Sequence, residues 1–547
     1  MNRFFQPRKV VKILTREYHR VTICALTIAA TLAPDRVVAL EQFTPFKQFL
    51  AERVSSDPTI AAYYRSQQFR PVWIGNTIEK KRLVALIDTL RSVETHGLPQ
   101  ARYDLAGLLA VLENARTPKD LAEAELKLTQ TYLSLAQDLQ TGIVVPSKVD
   151  TNIKRVIEKR SAQSLLDAVT QGDAKSHMRS LAPSTGEYTR LMKEKIRLES
   201  VVANGGWGST VPGKAIKPGA EGPRIVALRN RLMKMGYLRR SVSQTYDGKL
   251  ETAVRAFQNA HGLEPDGVVG EGTLKEINVS PSKRLTSVLV AMERERWLNQ
   301  PEGRGERHIL VNLTDFSARV IDNDVETFRT RSVIGKNTSD RQSPEFSDEL
   351  EHMIINPTWH VPRSIAVKEY LPRLQRNPAS LRHLTLVDRR GYVVDRSTAD
   401  FTQFSAGTFP YSIKQRPSSR NALGLVKFMF PNKYNIYLHD TPEKHLFSRE
   451  SRAFSHGCIR LHQPFEFAYH LLAAQEDDPQ AFFEAKLKTG REKQVNLETH
   501  VPVHIIYRTV FTTAKGEVHF RRDVYGRDAK IWKALQSAGV SLPEVRG

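Results

Sequence analysis

Residues 437–461 read YLHDTPEKHLFSRESRAFSHGCIRL, and both the fold of the C-terminal half and its chemistry turn on them. The stretch is entered through an alternation. In Asn435-Ile436-Tyr437-Leu438-His439, Ile436 and Leu438 share one side of a strand and Tyr437 and His439 the other, which predicts an apolar side facing a core and an accessible side carrying an imidazole. It ends on Ser455-His456-Gly457-Cys458-Ile459-Arg460. A cysteine attacks as its thiolate, which a nearby imidazole, a cation or a ring of backbone N–H groups favours. His439 and His456 are candidate bases, Arg460 supplies positive charge, and Gly457 lets successive N–H groups turn inward around an oxyanion. Pro464 then suits the first turn of a helix carrying Phe465, Ala468, Leu471 and Leu472 inward, so Cys458 is expected between a strand and a helix N-terminus that favours the thiolate. His439 and Cys458 are nineteen residues apart, so only folding unites them.

Two plainer roles compete. A lone cysteine is often a small buried hydrophobe. Zinc could draw on His439, His445, His456, Cys458 and His462, but no paired Cys-x-x-Cys or His-x-x-x-His spacing supports it, and no metal or other cofactor is expected.

Outward from this stretch the pattern is mostly strands. From Arg307, Ile309, Val311 and Leu313 alternate with polar positions, Ala318–Ile321 and Val325–Ile334 continue the period of two, and Asn323-Asp324 predicts the turn between them. Residues 365 to about 415 break the period with a helical piece, Val367–Leu374, and a hairpin at Asp388–Gly391, an insertion of the length that forms lids. Val426–Phe430 returns to the sheet, and Val503, Ile505, Tyr507, Val518 and Phe520 are expected to close it.

Upstream, residues 40–203 read as helical, with stripes such as Leu128, Tyr132, Leu135 and Leu139 stopping at Gly142. Residues 204–223, rich in Gly and Pro, read as a linker. Residues 224–279 carry three helical segments set off by Gly236, Asp247-Gly248 and Asp266-Gly267. At the start, Arg3, Arg8, Lys9, Lys12, Arg16 and Arg20 precede the apolar run Val21–Ala33 and small residues at Val37-Val38-Ala39, the pattern of a secretory signal over 1–39. Left uncleaved, it would tether the protein to the inner membrane. Cleavage removes Cys24 and leaves Cys458 as a free thiol in an oxidising compartment. The formal net charge of +22 falls to +17 without residues 1–39, which hold seven Lys or Arg and two Asp or Glu. Unless it merely solvates the surface, such a field attracts polyanions, for an exported protein cell-wall polymer or membrane rather than nucleic acid.

The His439-Asp440-Thr441 element, SHGC and Arg460 together resemble the signature of L,D-transpeptidase catalytic domains, which cross-link peptidoglycan. The resemblance extends to Arg341–Ser347 and Ile355–Pro362, while Tyr63–Trp73 and His96–Pro99 are similar to the helical scaffold of the larger Gram-negative members. Asp247-Gly248, Phe257-Gln258, Gly262-Leu263 and Asp266-Gly267 resemble a peptidoglycan-binding repeat. The resemblance implies a multidomain α+β chain: a helical scaffold domain (40–203), a three-helix peptidoglycan-binding domain (224–279), and a mostly-β catalytic domain (307–510) with a capping insertion, then closing strands and tail (511–547). It makes Cys458 the nucleophile, His439 the base and Asp440 the third member through its backbone carbonyl; His456 and Gly457 belong to the oxyanion region, and Arg460, Ser455, Tyr437 and Trp359 are substrate contacts. It implies a periplasmic enzyme acting on peptidoglycan stem peptides and glycan. No oligomeric partner is read from the sequence.

Overall fold

The computed structural model of the protein describes residues 44–300 and 302–544; the expected signal segment 1–39, with its alternative as a tether, lies outside them. Helices prevail up to Trp297. The stripe Leu128, Tyr132, Leu135 and Leu139 is buried on helix Pro118–Thr141, which starts at a Thr117/Asp120 capping box and stops at Gly142. On the same helix Glu125 is fully buried and accepts the N–H groups of Val72 (2.5 Å) and Ile74 (3.0 Å) and the Tyr64 hydroxyl (2.8 Å). Burial pushes this carboxyl up to about 7 against those hydrogen bonds. Residues 63–74 thus fold around a carboxylate, with Tyr63, Tyr64 and Trp73 in the core.

Residues 204–223 are not a free linker. Trp207, Val211 and Ile216 are buried, the Val211 N–H donates to Asn278 Oδ1 at 2.8 Å, and Ile216 bridges to Val269. Trp207 packs into the core of the N-terminal helices, while Val211 and Ile216 draw the segment onto the next domain, whose helices Pro223–Met235, Gly248–Ala260 and Glu271–Ile277 close over Leu228, Leu250, Val254 and Phe257. Residues 281–297, unassigned from sequence, form a helix buried on nearly every side. Its charges are neutralised in place: Arg296 pairs with Glu293 at 2.7 Å, and Arg294 with Glu345 at 2.6 Å and Asp528 at 3.1 Å.

The C-terminal half holds strands β1 (Arg307–Asn312), β2 (Ser317–Asp322), β3 (Val325–Gly335), β4 (Phe346–Ile355), β5 (Trp359–His360), β6 (Thr385–Val387), β7 (Ser412–Gln415), β8 (Val426–Met429), β9 (Leu438–His439), β10 (Ala453–Ser455), β11 (Ile459–Leu461), β12 (Lys493–Ile506), β13 (Val510–Thr512) and β14 (Val518–Phe520). The main sheet runs β10-β3-β11-β9-β8-β4-β12-β1-β2, and pairing of β2 with β3 closes it on itself. The β2–β3 turn has Asn323 and Asp324 at φ +49° and +64°, the left-handed pair of a tight hairpin. Contrary to expectation, Val518 and Phe520 do not close this sheet: β14 pairs only with β13, in a separate ribbon. Val510, Phe520, Ile531 and Leu535 instead complete the core of the N-terminal helices.

The insertion is a unit with its own core. β5, β7 and β6 form a three-stranded sheet, and a helical run comprising Arg363–Ile365, a π-helical turn Ala366–Tyr370 and Leu371–Arg376 packs Leu371 and Leu374 against Leu386, Phe401 and Ile413. The seam between the main sheet and the helical region includes backbone-to-backbone bonds. Lys154 N–H donates to the Glu345 carbonyl and Glu345 N–H to the Asn152 carbonyl, both at 2.8 Å. Among the described residues no helix is long and apolar enough to cross a membrane.

Candidate active site

Three adjoining strands build the site. β9 lies between β8 and β11, with His439 opposite Lys427 on one side and Arg460 on the other. The period of two buries Val426, Phe428, Leu438, Ile459 and Leu461 in the core below. Lys427, Tyr437, His439 and Arg460 are thereby left on the upper face, with Cys458 just ahead of β11, diagonal to His439. Diagonal cross-strand positions lie ~7–8 Å apart, a gap side chains reach across. Ile436 and Leu438 do face the core, but the opposite side is not accessible as expected. His439 is only 5% exposed, and Tyr437 packs against both the sheet core and the insertion's core.

Hydrogen bonds decide the imidazole's tautomer. His439 Nδ1 lies 2.5 Å from the Asp440 carbonyl oxygen. A carbonyl only accepts, so the proton sits on Nδ1 and Nε2 keeps its lone pair. Asp440 is itself fixed: its N–H donates to the Val426 carbonyl at 2.9 Å, and its carboxylate accepts from Lys444 Nζ and the Thr441 N–H at 2.7 Å and the Leu425 N–H at 2.9 Å. Gly424, at φ +62°, passes so close that a Cβ there would overlap that carboxylate.

Cys458 occupies the turn between β10 and β11. Gly457 takes φ +120°, a conformation only glycine adopts readily. The Gly457 N–H donates to Ser455 Oγ at 3.1 Å, Ser455 Oγ donates to the Cys458 carbonyl at 2.5 Å, and Ser343 Oγ donates to the Gly457 carbonyl at 2.6 Å. Cys458 Sγ points to the Asn435 carbonyl at 3.5 Å.

Several expectations need correction here. Ser455 is 2% exposed and braces the turn, so it is not a substrate contact, and the Gly457 N–H is already engaged. The His456 side chain turns to the insertion, where Nε2 meets Glu369 Oε1 at 2.6 Å, and the same oxygen takes Arg341 Nη2 at 2.7 Å. Trp359 is buried in the insertion's core, its ring 6.3 Å from that of Tyr370. Arg460 is on the face but ion-paired to Glu443. The helix Pro464–Leu472 begins only after β11, so its N-terminus does not adjoin the sulfur.

Charge states differ from the thiolate expected. Burial pushes the Cys458 thiol up to about 11, with Tyr437, Arg460 and Lys427 holding it only partly back. Burial, then Arg460 and Lys427, push His439 down to about 3. At rest the thiol and the imidazole diagonal to it are both neutral. Such a pair ionises by proton transfer when an electrophile arrives.

Sequence reasoning missed Lys427, Glu369 and Gly424 as parts of the site. The first was within reach: period two on Val426-Lys427-Phe428 sets the lysine on the side opposite the two apolar residues, the same side as His439.

Three family models match: "Scaffold domain" over residues 58–194, "Putative peptidoglycan binding domain" over 221–277 and "L,D-transpeptidase catalytic domain" over 306–496. A curated protein of Haemophilus influenzae named "Putative L,D-transpeptidase" is 27% identical over 225 residues, 41% of this chain; the chain spans under half, 45%, of that relative. Among solved structures, the L,D-transpeptidase (residues 123–326) of Xylanimonas cellulosilytica is 13% identical, with a TM-score of 0.17, covering 55% of this chain and all of the other. That of Stackebrandtia nassauensis is 12% identical, with a TM-score of 0.21, over 55% and 97%. Residues 306–496 match the family of L,D-transpeptidase catalytic domains, and the segments before them match a scaffold domain and a peptidoglycan-binding domain.

Proposed function

We propose that the protein is an exported, periplasmic acyltransferase that makes three-to-three peptidoglycan cross-links through a thioester on Cys458. The observation that supports this is one sheet face on which the thiol stands diagonal to an imidazole whose Nδ1 is committed to the Asp440 carbonyl. Cys458 gives its proton to His439 Nε2 as Sγ attacks the carbonyl between the third residue of a donor stem peptide and its terminal D-alanine. N–H groups of the Ser455–Cys458 turn receive the oxyanion, and the Asp440 carbonyl holds the imidazolium in register. The intermediate collapses as His439 protonates the departing D-alanine amine. The side-chain amine of the third residue of a second stem then attacks the thioester, passes its proton to His439 and frees the thiol. Tyr437 and Arg460 flank the bound peptide. Residues 224–279 hold glycan near the site, and the excess positive charge retains the protein on anionic wall polymer.

Water in place of the amine would make the enzyme an L,D-carboxypeptidase; a non-catalytic wall-binding protein would not need the thiol. Purified protein incubated with tetrapeptide muropeptides should yield a cross-linked dimer with loss of D-alanine by mass spectrometry. Cys458→Ala should yield none. Tripeptide without dimer refutes the transferase, and undiminished activity in Cys458→Ala refutes cysteine catalysis.

A further inference from the structure

Across the sheet, β11, β9 and β8 set three side chains in register: Arg460, His439 and Lys427. Cys458 immediately precedes β11, so the order from sulfur to imidazole to ammonium follows the order of the strands. The two cations differ. Arg460 is ion-paired to Glu443. Lys427 is half-buried, its Nζ 5.9 Å above the Tyr437 ring, and no carboxylate holds it within ion-pair distance among the described residues. Glu492, whose charge acts on it from further off, instead accepts from the Thr358 N–H. Keeping an ammonium half-buried without a partner costs stability, which suits a group awaiting an anion from the ligand.

The reaction geometry says which anion. The departing amine must take its proton from His439, so the leaving amino acid lies over β9. Its carboxylate is one carbon removed from that amine, and the next strand, ~4.8 Å away, is β8. Building on the acyl-transfer mechanism above, we propose that Lys427 recognises the free C-terminal carboxylate of the donor peptide, on the leaving-group side of Cys458. No bond to Lys427 forms or breaks; it pairs with the carboxylate before attack and releases it with the departing D-alanine. Donors ending in a free acid at the scissile residue are thereby selected over donors extended or amidated there.

The test uses two tetrapeptide donors identical except for a C-terminal acid or carboxamide. Wild type should favour the acid in kcat/KM by at least about tenfold. Lys427→Met should collapse that preference towards unity, mainly through KM for the acid, and Lys427→Arg should restore it. A second readout needs no turnover: alkylation of Cys458 by anionic iodoacetate relative to neutral iodoacetamide should fall about tenfold in Lys427→Met. Retention of the acid preference in Lys427→Met, or equal loss on both donors with the alkylation ratio unmoved, overturns the proposal. If wild type turns over neither donor, acyl transfer itself fails and the proposal with it; equal turnover of both donors sinks only the role of Lys427. Should Lys427→Met not fold, the acid preference and alkylation ratio of the wild type decide alone.

Discussion

Raising the pH through the alkaline range should switch on Cys458 late, and the size of the delay follows from its burial. With its thiol at about 11, only ~1 molecule in 10⁴ carries a thiolate at pH 7, against ~3 in 100 for a free cysteine with its pKa of about 8.5. That is a deficit of about 300-fold. The thiolate of a weaker acid is the better nucleophile, and a Brønsted coefficient of 0.4–0.5 recovers about tenfold of it. Iodoacetamide should therefore alkylate Cys458 some ~20 to 30 times more slowly than free cysteine at pH 7. The logarithm of the rate should climb by about one per pH unit until about pH 11. His439, held neutral down to about 3, should add no step between pH 5 and 8. The measurement is intact-mass kinetics on protein carrying Cys24→Ser, with free cysteine as the standard. A rate that levels off below pH 8, or one at pH 7 matching free cysteine, would mean a preformed thiolate–imidazolium pair and refute the neutral resting state.

Gly424→Ala puts a methyl group against the Asp440 carboxylate at φ +62°; displacing Asp440 by ~1 Å should cost about 10²-fold in kcat and lower Tm, measured by dimer formation and calorimetry. Glu345→Ala leaves Arg294 and Arg527 buried without their shared carboxylate, and urea unfolding should register a loss of about 3–5 kcal/mol. A carbapenem should add covalently to the wild-type protein and not to Cys458→Ala, as read by intact mass.

The strands, and which side chains share a face with His439, were legible because both are written in period two. Ile436 and Leu438 against Tyr437 and His439 place the imidazole on one face, and the glycine before Cys458 marks the turn that presents the sulfur. What period two does not carry is what lies above that face. The insertion looked like a lid in length alone; that its Glu369 would draw the His456 side chain away from the oxyanion region depends on contacts between residues far apart in the chain. Burial of the sulfur, which the pattern also does not carry, raises the thiol instead of favouring the expected thiolate. Helix Pro281–Trp297 escaped notice because Glu293-Arg294-Glu295-Arg296 reads as a solvated run, whereas each charge is buried against a partner, four of them contributed from outside the helix: Arg304, Glu345, Arg508 and Asp528. The stretch 204–223 misled through composition: its glycines signal freedom, but Trp207, Val211 and Ile216 outweigh them.

Leu50 and Tyr64 near one end of the described chain share a single core with Ile531, Leu535 and Val540 near the other. These early helices therefore lack part of their packing until residues 531–540 have been synthesised. A clone stopped short of residue 527 should accumulate as a protease-sensitive, aggregation-prone product, even with every residue of the catalytic sheet intact.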